Sequence, residues 1–299
     1  MNGYEHQETL MNMLSVLQEK LCFVRKVTAE EDRAVIRVHA DTDLTLTIPY
    51  DAWEQKAERC TPGQLCPHLM DFIIFSILRH RELPYGDHTI AYEEIRRYLV
   101  IRPLNADKER ERLQDAVCRY FWDIALVLYC EIPSDDGQYI SFLVTRHLYS
   151  TWNISPRQLY EDALANTAGK YPPRMFVDLI GLIDRDEGGS DVMAVNTVLP
   201  YPCAIPLITT ANVSSNGAVA MFYPGVLKKL SGIMQGDYFI VFTGISEARL
   251  HDPAVFHPQE ALEALKETNA DFPETLLSRN VYYFDADTGL LGVYASPDS

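Results

Sequence analysis

The chain has 299 residues, 47% of them hydrophobic and 23% charged, the balance of an ordinary globular protein long enough for one large core or two modest ones. Its formal net charge of -16 argues against direct binding to nucleic acid or an anionic membrane, because such proteins concentrate Lys and Arg on one face. No apolar run approaches the roughly 20 residues of a membrane-spanning helix, and the opening residues lack a basic segment leading into an apolar stretch.

Six cysteines (Cys22, Cys60, Cys66, Cys118, Cys130, Cys203) are scattered along the chain. Without a secretory leader they read as reduced thiols, which implies a cytoplasmic protein. The basic residues Arg79, Arg81, Arg96, Arg97 and Arg102 read as a solvated face balanced by Glu82, Glu93 and Glu94.

Leu10, Met13, Leu14, Leu17 and Leu21 recur at three- and four-residue steps and predict an amphipathic first helix. Two alternating stretches, 34–40 and 44–50, joined through Asp41-Thr-Asp43, predict an antiparallel hairpin. Helix is expected over 65–83, with Leu69, Phe72, Ile73 and Leu78 inward, and again over 90–99 and 108–122.

Beyond residue 122 the pattern changes. The continuous apolar run at 124–132 predicts a buried strand, Ser134–Gly137 a turn, and 139–145 its partner. Helices follow over 146–152 and 156–166, the second opened by Ser155 and Pro156. A similar order then returns: a strand at 206–211, a turn ending in Asn216-Gly217, a partner strand at 218–223 and a helix after Pro224. A helix beginning at Ala218 and kinking at Pro224 is the alternative for that segment. A strand at 237–243, a helix at 260–269 and a hairpin at 280–294 complete the chain. The expected fold is therefore α+β, a largely antiparallel sheet with helices on one face, built from repeated β-β-α units. The expected division is an N-terminal region of helix, hairpin and helices over 1–122 and a second domain over 123–299.

No phosphate loop, dinucleotide fingerprint, nucleophile elbow or metalloprotease motif occurs, so no cofactor is implied. Asp184-Arg-Asp-Glu-Gly-Gly-Ser-Asp191 begins like a calcium loop, but Val195 falls where a bidentate Glu is required, and a surface loop is the better reading. Asp285–Gly289 reads as a hairpin turn. Cys60, Cys66 and His68 are spaced too widely for a structural zinc site and lack a second pair, so no metal is expected. A cysteine hydrolase built from Cys203 and His147 has nothing in its spacing to favour it. His147, Trp152, Asn212, Asn216, Tyr223 and Glu247 fall near strand ends and helix starts, where clefts open, and are the candidate ligand-binding residues. Against this, Asn216-Gly217 suits a turn and Trp152 a core anchor.

The run Leu143-Val-Thr-Arg-His-Leu-Tyr-Ser-Thr-Trp-Asn-Ile-Ser-Pro, with Asn216-Gly-Ala-Val-Ala-Met-Phe-Tyr-Pro and Asn280-Val-Tyr-Tyr-Phe-Asp, resembles an uncharacterised domain-of-unknown-function family of clostridial gut bacteria. A second uncharacterised family of bacilli is more distantly similar. The resemblance spans roughly residues 120–295 and implies a bacterial cytoplasmic protein without supplying an activity. Relatives carry a Pro-Ser-Ser-Ile-His-Glu-like segment where this chain has Thr243-Gly-Ile-Ser-Glu-Ala, so Ser246 stands in the histidine's place.

The absence of catalytic signatures, the 17 tyrosines and the acidic surface favour a non-enzymatic binding or regulatory protein engaging a protein partner. The alternative is a hydrolase or transferase with its site assembled between the two β-β-α units.

Overall fold

The structure, a computed structural model, describes residues 3–21, 23–39, 43–79, 82–86, 90–133, 139–177, 189–201, 204–211 and 216–297. In chain order its elements begin with α1 (Gly3–Lys20), β1 (Val24–Ala29), β2 (Arg33–His39), β3 (Asp43–Pro49), α2 (Tyr50–Ala57), α3 (Pro62–Leu78) and α4 (Tyr92–Ile95). They continue with β4 (Leu99–Asn105), α5 (Arg110–Leu113), β5 (Cys118–Phe121), β6 (Ile124–Pro133), β7 (Tyr139–Leu143), α6 (Arg146–Ser150) and α7 (Pro156–Lys170). The rest are β8 (Pro173–Phe176), β9 (Ser190–Asp191), β10 (Leu207–Thr210), a 3-10 helix (Gly217–Phe222), α8 (Val226–Met234), β11 (Tyr238–Gly244), β12 (Glu247–His251), α9 (Pro258–Asp271), β13 (Val281–Asp285) and β14 (Leu290–Ala295). Helices and antiparallel sheets make this an α+β protein, as the sequence pattern predicts.

The chain divides into two compact units, Met1–Leu99 with Tyr129–Ser155 and Val100–Leu128 with Pro156–Ser299. The first contains the antiparallel sheet β1-β2-β3. Its expected hairpin is present in the register Ala34↔Ile48, Ile36↔Leu46 and Val38↔Leu44, which puts the apolar member of each alternating pair on one face. The leucine stripe of α1 is buried at Leu10, Leu14 and Leu17, and the indole of Trp53 on α2 donates to the His6 carbonyl at 2.8 Å. In α3, Leu69, Phe72, Ile73 and Ile77 are buried. Thr61 and Gln64 form a capping box at its start. Of the basic residues in this unit, Arg79 pairs with Glu94 and Arg96 with Glu93 at 3.0 Å.

The second unit is organised around a seven-stranded antiparallel sheet in the order β14-β13-β11-β12-β10-β8-β9. Strand β11, Tyr-Phe-Ile-Val-Phe-Thr-Gly, is buried at every position but Thr243, because both faces of the sheet are covered there. On one face Phe239, Val241, Val281 and Ala295 pack with Leu265 of α9. On the other, Phe242 stacks on Phe222 with ring centroids 5.8 Å apart, and the Tyr238 hydroxyl donates to the Leu227 carbonyl at 2.9 Å. The Asp123 carboxylate, in the β5–β6 turn, accepts from the Ser278 hydroxyl, the Arg279 amide and the Tyr282 hydroxyl. These bonds tie the turn to the segment entering β13.

Several expectations are corrected. The strand expected at 218–223 is replaced by the 3-10 helix Gly217–Phe222, because the Ala218 amide bonds the Ile245 carbonyl at 3.2 Å and the small residues Gly217, Ala218 and Ala220 let this turn lie against β10. The expected helix at 108–122 shrinks to α5, and Cys118–Phe121 becomes β5, drawn into pairing with β6. Likewise helix at 90–99 is confined to α4 and a 3-10 turn at Arg96–Tyr98 before β4. Strands β1, β4 and β12 had no counterpart in the predicted elements. The turns at Asp41-Thr42 and Ser134–Gly137, and residues 184–188 of the acidic loop, lie outside the described residues. Among the described residues no helix is long and apolar enough to cross a membrane.

A Cβ added at Gly217 would fall 2.1 Å from the Thr209 hydroxyl and 2.3 Å from the Ser246 carbonyl oxygen, so Gly217→Ala forces the 3-10 helix off β10. A loss of about 1–3 kcal/mol in urea denaturation is expected. Gly169, in α7 with open space around it, is the control; there alanine should add about 0.5–1 kcal/mol. Equal stability of Gly217→Ala and the parent would show that the close approach is not maintained.

Candidate ligand cleft

The cleft follows from strand alternation. In β12 the burial pattern makes Ala248 and Leu250 buried, while Glu247, Arg249 and His251 are half-buried on the opposite face. Register sets Val241 opposite Arg249 and Phe239 opposite His251, and Thr243 extends the same face of β11. Helix α9 supplies one wall through Glu260, Ala261, Ala264, Leu265 and Thr268. The connection Asp252–His257 closes one end, and Ile205 stands at the mouth. The Asp252 carboxylate holds that connection by accepting from the Ala254 amide at 2.8 Å. The enclosed space is about 420 Å³, within the range of small-molecule sites.

The Thr243 hydroxyl donates to Glu247 Oε1 at 2.8 Å, and the same oxygen lies 3.7 Å from Arg249 Nη2. His251 stacks on Phe256 with ring centroids 4.2 Å apart. Burial, and then the neighbouring Arg249 charge, push the imidazole pKa down to about 4, so His251 is neutral at pH 7. The cleft thus presents the Arg249 guanidinium, the neutral His251 imidazole, His257, the carboxylates of Asp252 and Glu260 and the hydroxyls of Thr243 and Thr268 beside its apolar walls.

A second cleft of about 490 Å³ in the same unit lies between the 3-10 helix with α8 and the β13–β14 hairpin, with Phe121, Phe222, Lys228 and Phe284 in its lining. Tyr223 lines it as well, but its hydroxyl donates at 2.9 Å to the Tyr171 carbonyl, and burial raises its pKa. Asp285–Gly289 is the hairpin turn beside this cleft; Gly289 takes φ 70, the left-handed conformation a glycine favours there.

The predicted candidates therefore separate. Glu247 does not line the first cleft but bonds Thr243 and lies near Arg249, which do, and Tyr223 lines the second. Asn216 precedes the 3-10 helix, its carbonyl accepting from the Val219 amide. Asn212 and Cys203 lie outside the described residues. His147 and Trp152 belong to the other unit. There Trp152 is buried, donating to the Ile90 carbonyl at 2.9 Å and packing with the rings of Tyr92 and Tyr149, which is the behaviour of a core anchor. His147 Nε2 sits 3.3 Å from Asp71 Oδ2. Asp71 is buried on α3, and that burial, partly offset by His147, pushes its carboxyl pKa up to about 6. Asp71, Arg249, His251 and His257 were missed in the sequence. A period-two alternation over Glu247-Ala-Arg-Leu-His251 was the available signal. Cys60 precedes α3, while Cys66 and His68 lie on it; among the described residues no three His, Cys, Asp or Glu side chains group to hold a metal.

Fold and cleft together define an α+β protein of two units with an open cleft in the second. The family of unknown function DUF5688 matches residues 8–286, and the chain belongs to that family. The match reaches well beyond the 120–295 stretch on which the resemblance rests, into the N-terminal helix. No match was found among curated proteins or solved structures.

Asp71 yields a pH test. A carboxyl whose pKa rises from 3.8 to about 6 on folding holds its proton more tightly in the folded state, so its contribution to stability falls as pH rises from about 4 to 6. The fall amounts to roughly 3 kcal/mol. Asp71→Asn should flatten the pH dependence of urea denaturation across this window; an unchanged slope would contradict the assignment.

Proposed function

We propose that the chain is a non-enzymatic binding protein that takes a small ligand in the cleft between β11, β12 and α9. The observation that carries this reading is the cleft's composition: apolar walls from Val241, Val255, Phe256 and Leu265, with Thr243, Arg249, His251 and His257 as its convergent polar groups. That mixture suits orientation of a ligand.

A hydrolase or transferase needs a nucleophile within hydrogen-bond reach of a base. The Thr243 hydroxyl donates to Glu247 Oε1 at 2.8 Å, but that carboxylate does not line the cleft, so the bond supports the strand end and presents no base to a bound ligand. In the other unit, no Ser, Thr or Cys side chain bonds the Asp71 carboxylate or the His147 imidazole among the described residues; the Ser150 hydroxyl donates to the His147 carbonyl at 2.7 Å. The histidine of related chains has Ser246 in its place here, and the Ser246 carbonyl is held by the Thr209 hydroxyl at 2.8 Å. Cys60 and Cys118, in no disulfide, agree with a reducing, cytoplasmic setting. A protein partner is the second reading, favoured by Ile205 and Val255 at the mouth, which are 47% and 57% exposed.

The test uses the full chain and a fragment library observed by NMR. Ala264, exposed on the cleft wall, tolerates a large side chain without disturbing the core. Fragments that bind the parent should be lost in Ala264→Trp, with unchanged circular dichroism, and should be recovered chemically intact. Retention of every hit in Ala264→Trp, or conversion of a bound compound to product, would overturn the proposal.

A further inference from the structure

Arg249 is the feature of the cleft that its own surroundings leave unexplained. Its side chain is only 33% exposed, yet among the described residues its one recorded ion pair is Glu247 Oε1 at 3.7 Å, beyond hydrogen-bond length. That oxygen already accepts from the Thr243 hydroxyl at 2.8 Å. A guanidinium carries five N–H donors in a planar fork, and here they open to the solvent of the cleft with no protein acceptor within hydrogen-bond length among the described residues. The fork lines the cleft, so an acceptor entering there would satisfy it.

Charge and shape narrow the acceptor. Glu247 lies 3.7 Å from this guanidinium, Asp252 and Glu260 line the same cleft, and His251 adds no second positive charge. A group with one negative charge is matched by Arg249 alone, whereas a phosphate dianion would leave excess charge facing three carboxylates. A planar carboxylate also fits the fork in a bidentate manner. Resting on the cleft reading above, we infer that the ligand is a small organic acid, its carboxylate on Arg249 and its apolar body against Val255, Phe256 and Leu265.

Calorimetry on the full chain with phenylacetate, phenylacetamide and phenyl phosphate tests this. Phenylacetate should bind most tightly, and Arg249→Met should weaken it by about tenfold or more. Arg249→Lys, which keeps the charge and loses the fork, should fall between. Circular dichroism and denaturation midpoints establish that both variants are folded; if Arg249→Met is not, Arg249→Lys carries the test. Equal binding of the acid and its amide, or an affinity for phenylacetate unchanged by the substitutions, overturns the organic-acid assignment while the cleft reading stands. Tighter binding of phenyl phosphate than of phenylacetate overturns it too. If none of the three probes binds, the assignment also falls, and the Ala264→Trp fragment comparison decides separately whether the cleft itself survives.

Discussion

The second unit's site depends on a single pairing, Val241 opposite Arg249 in the β11–β12 ladder. Side chains alternate with a period of two, so a slip of one residue would turn Glu247, Arg249 and His251 into the opposite face and bring Ala248 and Leu250 out. That opposite face is a dense aromatic layer containing Phe242, Tyr282 and Phe284, where a guanidinium would have no acceptor. The register is held because it satisfies two constraints at once. It buries Ala248 and Leu250 completely, and it leaves three polar side chains facing the gap beneath α9.

Buried charge is treated differently in the two units. Asp71 is buried beside His147 at 3.3 Å, and the cost of that burial shows as a raised carboxyl pKa. The carboxylate has the His147 imidazole as its partner. Arg249 cannot respond in this way, since a guanidinium does not give up its proton in the accessible pH range. Its neighbour responds instead: burial and the fixed charge keep His251 neutral. Arg249, whose one ion pair among the described residues is Glu247 at 3.7 Å, lies beside a ring kept neutral, and the proposed carboxylate would complete its fork.

Much of the fold was legible because local periodicity agreed with tertiary demand. The α1 leucines, the β2–β3 hairpin, the buried run of β6 and the terminal hairpin all repeat at the period of the element they form. Failures fall where distant contacts decide. Ala218-Val-Ala-Met-Phe is apolar enough to be a strand, and only the approach of Gly217 to Thr209 and Ser246 makes it a 3-10 helix. Cys118–Phe121 follows a helical pattern until β6 pairs with it. The candidate residues show the same limit. Glu247 and Tyr223 each reached the neighbourhood of a cleft, but Arg249 and His251 are ordinary polar residues until register aligns them above Val241 and Phe239.

The overall charge of -16 might suggest that an anionic ligand is excluded on principle. Screening removes that objection, because exposed charges farther than a Debye length, about 8 Å at physiological ionic strength, contribute little. Groups within the cleft are screened much less, so the local arrangement of Arg249, neutral His251 and the three nearby carboxylates outweighs the distant surface. Two of those carboxylates are already engaged, Glu247 by the Thr243 hydroxyl and Asp252 by the Ala254 amide. Their remaining field still penalises a second negative charge. An acidic protein can thus be selective for a monoanion: one guanidinium attracts it, and the carboxylates around that guanidinium reject anything more highly charged.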